Sequence, residues 1–201
     1  MKIAGAALMT AENSFRTLRK RGRFGPFDDL NAARHELTAL PGAPSCDLGD
    51  FGRGGKTVRR TTLTALLAGW DSGEAPFGDA GILGWNGCGC TAENLNYWQD
   101  YVTNGREAGR GGLFVATLPT IPCCEAAIAL RCGGAAAYFR TRPSLAALEE
   151  LLAAAPPGRY FCSEVASETV CVFFADTRLP GTALPEAETL EALFVRLEAR
   201  P

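Results

Sequence analysis

The stretch that decides the fold runs from residue 133 to residue 155 and reads GGAAAYFRTRPSLAALEELLAAA. Its first part, GGAAAYFRT (133–141), follows a Gly-Gly break and predicts a strand. Its second part, SLAALEELLAAA (144–155), predicts the clearest helix of the chain, because Ser144 can act as an N-cap and four leucines share one face. A strand that leads through a short turn into a helix is typical of a layered α/β fold.

The same alternation of strands and helices continues on both sides of this stretch. The predicted strands are KIAGAALM (2–9), DAGILGWNG (79–87), RYFCSEVA (159–166) and ETVCVFFA (168–175), and GGLFVATLP (111–119) is predicted to be extended. The predicted helices are RRTTLTALLAGWDSG (59–73), TAENLNYWQDYVTNG (91–105), CCEAAIALRC (123–132) and the amphipathic or frayed C-terminal run from residue 186. This order predicts an α/β layered fold, in which helices cover a mixed or largely parallel sheet.

The domain organisation follows from length and local composition. A chain of 201 residues can bury one sizeable core, so we expect a single domain over residues 1–201. Residues 10–56 are rich in Gly, Pro, Arg and Asp and predict an extended surface insertion, with a short helix around Asp28–Leu40. Residues 176–201 are expected to form a C-terminal loop and helix.

The charge and the hydropathy exclude several classes of partner. The net charge is −2, and no run of like charges forms a tail, so we expect no nucleic-acid partner. The apolar stretches are interrupted well before the roughly 20 residues that a membrane helix needs. The N-terminal residues lack the long apolar region and the cleavage site of a signal peptide, and we therefore expect a cytoplasmic protein.

The eight cysteines allow more than one interpretation. Most lie beside apolar or small residues, as free buried cysteines do in a reducing compartment. Zinc sites use CxxC-type pairs, whereas the pairs here are Cys88-Gly-Cys90 and Cys123-Cys124. We therefore predict no metal and no cofactor. A zinc or redox protein remains an alternative.

Six stretches, taken in order, resemble one family. They are KIAGAALMTA, KTVRRTTLTALLAGWDSGE, GILGWNGCGCTAENLNYW, LFVATLPTIPCCEAAIALRCGG, SLAALEELLAAA and RYFCSEVASETVCVFFA. Together, and chiefly from about residue 59 to residue 175, they resemble the N-terminal half of β-ketoacyl synthases, the condensing enzymes of the thiolase-like fold.

The resemblance implies that the catalytic groups of the family are missing. The family's nucleophilic cysteine stands in the turn between the strand and the helix of the opening stretch, where this chain has Thr141 and Arg142. Arginine cannot attack a thioester, and a threonine would need an adjacent base. The family's two histidines lie in its second half, and the sole histidine here, His35, corresponds to neither.

The resemblance therefore implies a non-catalytic partner. We expect an accessory or chain-length-type subunit of fatty-acid-like, polyene or polyketide biosynthesis, which pairs with a full-length ketosynthase or with itself. The dimer strand would be the one that holds Ala135, Ala136, Ala137, Tyr138 and Phe139. Arg106 and Arg110 are weaker candidates for contact with an acyl carrier protein.

A catalytic alternative stays open at the level of the sequence. Cys123 and Cys124 come at the start of a predicted helix, where the helix dipole lowers the pKa of a thiol. Either could serve as a non-standard nucleophile of an acyltransferase or a condensing enzyme. The competing interpretation is that both side chains only pack.

Overall fold

One mixed sheet organises the computed structural model, which describes residues 2–86, 90–108, 111–141, 143–181 and 184–200. Its strands are β1 (Lys2–Met9), β2 (Phe15–Thr17), β3 (Arg23–Phe24), β4 (Gly81–Asn86), β5 (Ala136–Phe139), β6 (Arg159–Val165) and β7 (Val170–Asp176). They lie in the order β3-β2-β1-β7-β6-β4-β5. The sheet edges are therefore β3 at one end and β5 at the other.

Strand direction changes across the sheet. β5, β4 and β6 run parallel to one another. The pairs β6–β7, β7–β1, β1–β2 and β2–β3 are antiparallel. The predicted α/β layered fold with a mixed sheet is confirmed, and its parallel part is limited to these three strands.

Seven α-helices are found among the described residues. They are α1 (Leu30–Thr38), α2 (Lys56–Ser72), α3 (Thr91–Asn104), α4 (Gly111–Ala116), α5 (Ile121–Ala129), α6 (Leu145–Ala154) and α7 (Leu190–Glu198). α1, α2 and α5 pack in the core on one face of the sheet. α6 and α7 pack on the opposite face. No helix within the described ranges is long and apolar enough to cross a membrane.

The two-sided core follows from the alternation of side chains along β6 and β7. Phe161 and Phe174 point into the first cluster, where their ring centroids lie 4.5 Å apart. Cys162 and Phe173 point into the second cluster. Strands that are buried on both faces read as near-continuous apolar runs. β7 shows this pattern in the sequence, whereas β6 also buries the polar residues Ser163 and Glu164.

The segments 28–40 and 111–119 each contain a helix, but only the first was predicted to do so. The short helix expected around residues 28–40 is present as α1, and the Asp29 side chain caps it by accepting the N–H groups of Asn31 and Ala32. The stretch 111–119, expected to be extended, instead forms α4. α4 pairs with α3 outside the sheet, through the edge-on contact of Phe114 with Tyr97. β-branched and aromatic residues favour a strand through packing against neighbouring strands, and this segment has none.

A buried carboxylate ties three segments together. Asp71, near the end of α2, is only 2% exposed. Its oxygens accept the backbone N–H groups of Ala6 in β1 at 2.9 Å, of Arg19 at 3.0 Å and of Lys20 at 2.7 Å. The β2–β3 hairpin is thereby fixed to the end of α2.

Asp71→Ala is expected to lower the free energy of unfolding by about 3 kcal/mol, because three backbone donors lose their acceptor. Urea denaturation measures this difference. Asp50→Ala removes an exposed carboxylate that pairs with Arg53 and should cost about 0.5 kcal/mol or less. Equal losses in the two variants would contradict the anchoring role of Asp71.

Candidate association site

The edge strand β5 is open on one side. Within the described residues it pairs only with β4, and the order of the sheet places it at the end. Ala135, Ala136 and Ala137 are exposed, while Tyr138 and Phe139 are half-buried. The sequence placed the dimer strand in this segment, and the structure leaves the segment accessible.

The polar groups of β5 face two directions. The carbonyl of Ala135 accepts the N–H of Ile82 in β4 at 2.8 Å. Because pairing groups alternate along a strand, the backbone groups of Ala137 also face β4. Those of Ala136 and Tyr138 face outward, toward the position that a further strand would take.

A second accessible surface is formed by α3 and α4. Neither helix has a buried residue. We call the large apolar side chains that they expose the α3–α4 face, namely Leu95, Trp98, Val102, Leu113, Phe114 and Val115. Trp98 is 61% exposed and Val102 is 65% exposed.

The sequence indicated the apolar side of α3 but not its surroundings. Leu95, Trp98, Tyr101 and Val102 do follow helical spacing, and Trp98 stacks on Tyr101 with ring centroids 5.7 Å apart. The other residues that the structure describes do not cover this side, although its pattern is that of a buried helix face. Exposed apolar groups of this size mark interaction surfaces in proteins.

The position of the family's nucleophile follows β5 directly. Thr141 is exposed, and Arg142 lies outside the described residues. His35 is exposed in the last turn of α1. α1 and α6 pack on opposite faces of the sheet, so His35 and the turn before α6 lie in different layers. His35 is thus not placed to act as a base for Thr141.

Cys123 packs directly onto the sheet. It is 5% exposed, and a Cβ built on Gly84 of β4 would lie 1.9 Å from its sulfur. The sulfur therefore occupies the space that a side chain at residue 84 would need. Burial raises the pKa of the Cys123 thiol to about 12, which keeps it protonated near neutral pH. These surroundings favour packing over nucleophilic attack.

The neighbouring thiol has different surroundings. Cys124 is half-buried, and its sulfur lies 3.2 Å from the hydroxyl oxygen of Thr120. Of the pair, Cys124 is therefore the accessible one.

Of the remaining described cysteines, Cys90, Cys162 and Cys171 are buried, and Cys46 and Cys132 are half-buried. Burial raises the pKa of Cys162 to about 12 and that of Cys132 to about 11. Cys88 lies outside the described residues. Within the described ranges, no three His, Cys, Asp or Glu side chains form a group that could hold a metal ion.

The structure describes one of the two arginines that are candidates for contact with a carrier protein. Arg106 is exposed just after α3, and its Nε donates to the hydroxyl of Tyr101 at 3.0 Å. Arg110 lies outside the described residues. Arg106 thus stands beside the α3–α4 face.

Gly84→Ala is expected to lower the free energy of unfolding by about 3 kcal/mol, because the added methyl group meets the sulfur of Cys123. The double variant Gly84→Ala/Cys123→Ala should be more stable than Gly84→Ala alone. Urea denaturation of the set measures both effects. Gly52→Ala is the control, since a Cβ there meets nothing within 4 Å. A double variant less stable than Gly84→Ala would contradict the contact.

Thiol labelling distinguishes the two adjacent cysteines. With iodoacetamide at pH 8 we expect Cys124 to react first, while Cys123 and Cys162 stay unlabelled until the chain is unfolded. A thiol with a pKa of about 12 has about one thiolate in ten thousand at that pH. Peptide mapping by mass spectrometry locates the label. Rapid labelling of Cys123 in the folded protein would restore it as a candidate nucleophile.

Comparison with known proteins supports the fold but names no family. No protein-family model and no curated protein matches the sequence. Among the solved structures that do match is the ketosynthase (ApeO) in complex with its chain length factor (ApeC) from Xenorhabdus doucetiae. The match has a TM-score of 0.58 at 9% identity and covers 100% of this chain and 93% of that chain. The ishigamide ketosynthase/chain length factor matches with a TM-score of 0.47 at 13% identity, over 81% of this chain and 46% of that chain. The chain therefore has the α/β layered, ketosynthase-like fold that the sequence predicted.

Proposed function

We propose that this chain is a non-catalytic subunit that associates with a ketosynthase. The observation that carries the proposal is the position of β5 at the end of the sheet, where it is an accessible edge strand without charged side chains. Such an edge invites pairing with a further strand. The α3–α4 face supplies apolar area that a partner could cover.

Helices of the chain itself already cover both faces of the sheet. An isolated half of a two-part fold would leave one face of its sheet bare. Here Leu190, Leu193 and Phe194 of α7 pack on that face together with α6. Residues 10–56 contribute α1 to the other face. With both faces of the sheet covered, β5 and the α3–α4 face are the surfaces that we propose for association.

A non-catalytic role is supported by the surroundings of the candidate nucleophiles. Thr141 has no histidine in its layer, and Cys123 is buried and protonated. The matched solved structure is described as a ketosynthase with its chain length factor, so that fold occurs in paired subunits. By analogy, the pathway would be fatty-acid-like or polyketide biosynthesis. An acyl carrier protein would deliver substrates to the pair, and Arg106 is a candidate contact for it.

Association through β5 can be tested by a pair of proline variants. Ala136→Pro removes an outward-facing N–H and should abolish strand pairing with a partner while the monomer keeps its fold, because proline is tolerated on a free edge. Ala137→Pro removes an inward-facing N–H and should also destabilise the β4–β5 pair by about 3 kcal/mol. Co-purification with a full-length ketosynthase and analytical ultracentrifugation of the chain alone measure hetero- and self-association.

The outcomes separate the proposal from its alternatives. Unchanged association of a folded Ala136→Pro variant would overturn pairing through β5. A product profile of the reconstituted ketosynthase that depends on this chain but not on Cys124 would support a non-catalytic role. The chain is instead an enzyme if Cys124→Ser abolishes its influence on the product profile and an acyl adduct forms on Cys124 of the wild-type chain.

A further inference from the structure

The loop between β2 and β3 concentrates positive charge. Residues 15–24 read FRTLRKRGRF and contain five basic side chains and no acidic one. Arg19, Lys20, Arg21 and Arg23 are exposed, and we call them the basic loop. The whole chain has a net charge of −2, so this concentration is local.

The backbone of the basic loop is fixed in place. The buried carboxylate of Asp71 accepts the N–H groups of Arg19 and Lys20. Across the base of the loop, Thr17 donates its N–H to the carbonyl of Gly22 at 3.0 Å, and its hydroxyl accepts the Gly22 N–H at 2.9 Å. The charged side chains therefore project from a backbone that hydrogen bonds hold in one conformation.

Two of the side chains are held by neutral groups. The Nη1 of Arg19 donates to the carbonyls of Ala4 at 2.8 Å and Ser72 at 3.4 Å. The ammonium of Lys20 lies 4.0 Å from the ring centroid of Trp70. Carbonyls and an aromatic ring orient a cation without cancelling its charge.

Neutral backbone carbonyls also hold the side chain of Arg21. It donates to the carbonyls of Glu198 at 3.2 Å and Arg200 at 2.8 Å, at the end of α7. Its φ of 49° lies in the left-handed region, which is uncommon for a residue other than glycine. Among the described residues, the carboxylate ion pair of this stretch is that of Arg16 with Glu198, outside the basic loop.

We propose that the basic loop is a docking surface for an acidic segment of a partner protein. Cations that are already oriented lose little conformational freedom on binding, and charges that are not neutralised attract carboxylates from a distance. A nucleic acid fits less well, because the positive charge is confined to one loop of an acidic chain and Lys20 covers one face of the nearby Trp70.

The position of the loop makes this surface independent of the proposed pairing with a ketosynthase. β2 and β3 form the edge of the sheet opposite β5. A partner that covers β5 would leave the basic loop accessible, so the chain could contact two proteins at once. If pairing through β5 is disproved, the proposed binding of an acidic segment to the basic loop still stands, and the reverse also holds.

The test uses the full chain and a short, fluorescently labelled oligoglutamate peptide. We expect saturable binding by fluorescence anisotropy that weakens as salt is added. Lys20→Ser/Arg23→Ser should weaken it about tenfold. The matched control, Arg53→Ser/Lys56→Ser, makes the same change of charge at the start of α2, about 25 Å from its end beside the loop. It should change the affinity by about twofold or less.

Three results would overturn the proposal. They are no binding of the peptide, an equal loss in both double variants, and tighter binding of a single-stranded oligodeoxythymidine of the same charge. Far-ultraviolet circular dichroism checks that each variant is folded. If the double variant is not folded, Lys20→Gln alone provides the same comparison against Lys56→Gln.

Discussion

The burial of α2 is the constraint on which the rest of the packing depends. Of its 17 residues, 13 are buried, so it must contact the sheet, α1 and α5 at once. Close approach to β1 requires glycine at residue 5, where a Cβ would lie 2.5 Å from the carbonyl oxygen of Ala68. On its other side, Gly69 leaves room for the ring of Phe77. Because α2 fills the first face of the sheet so completely, the chain's accessible apolar surface lies elsewhere.

The elements that the sequence predicts well are those whose pattern alone determines their surroundings. β7 is a near-continuous apolar run, and this pattern predicts burial on both faces, whatever packs on them. Ser144 caps α6 as expected, accepting the N–H of Ala147. α4 was not predicted, because its residues favour a strand only where a sheet is available. The contact of Cys123 with Gly84 could not be predicted either, since no local pattern links two residues 39 positions apart in the chain.

The sequence predicted parts of the candidate site but not the surroundings of those parts. The resemblance to ketosynthases predicted an association strand at residues 135–139. The structure has the edge strand β5 at Ala136–Phe139, and its part in association stays a prediction. The apolar spacing of α3 predicted one apolar face, but spacing cannot say whether that face is covered by the same chain or left for another. The charges of the basic loop can be read from the sequence, where residues 19–23 are RKRGR. That its cations are oriented by carbonyls and a ring, rather than paired with carboxylates, is a property of the tertiary structure alone.

The two edges of the sheet differ in a way that bears on association. At one end β3 has only two residues, Arg23 and Phe24, and a short charged edge resists pairing with another strand. At the other end β5 exposes alanines and outward-facing backbone groups. α3 adds a 14-residue helix that buries none of its side chains, and a helix of that length is marginal in water without tertiary contacts. An open, uncharged edge and an amphipathic helix supported mainly by the short α4 are each unfavourable for an isolated chain. A partner that covers α3 would stabilise that helix, and one that pairs with β5 would bury the open edge, so association should stabilise the part of the fold that the chain's own core supports least.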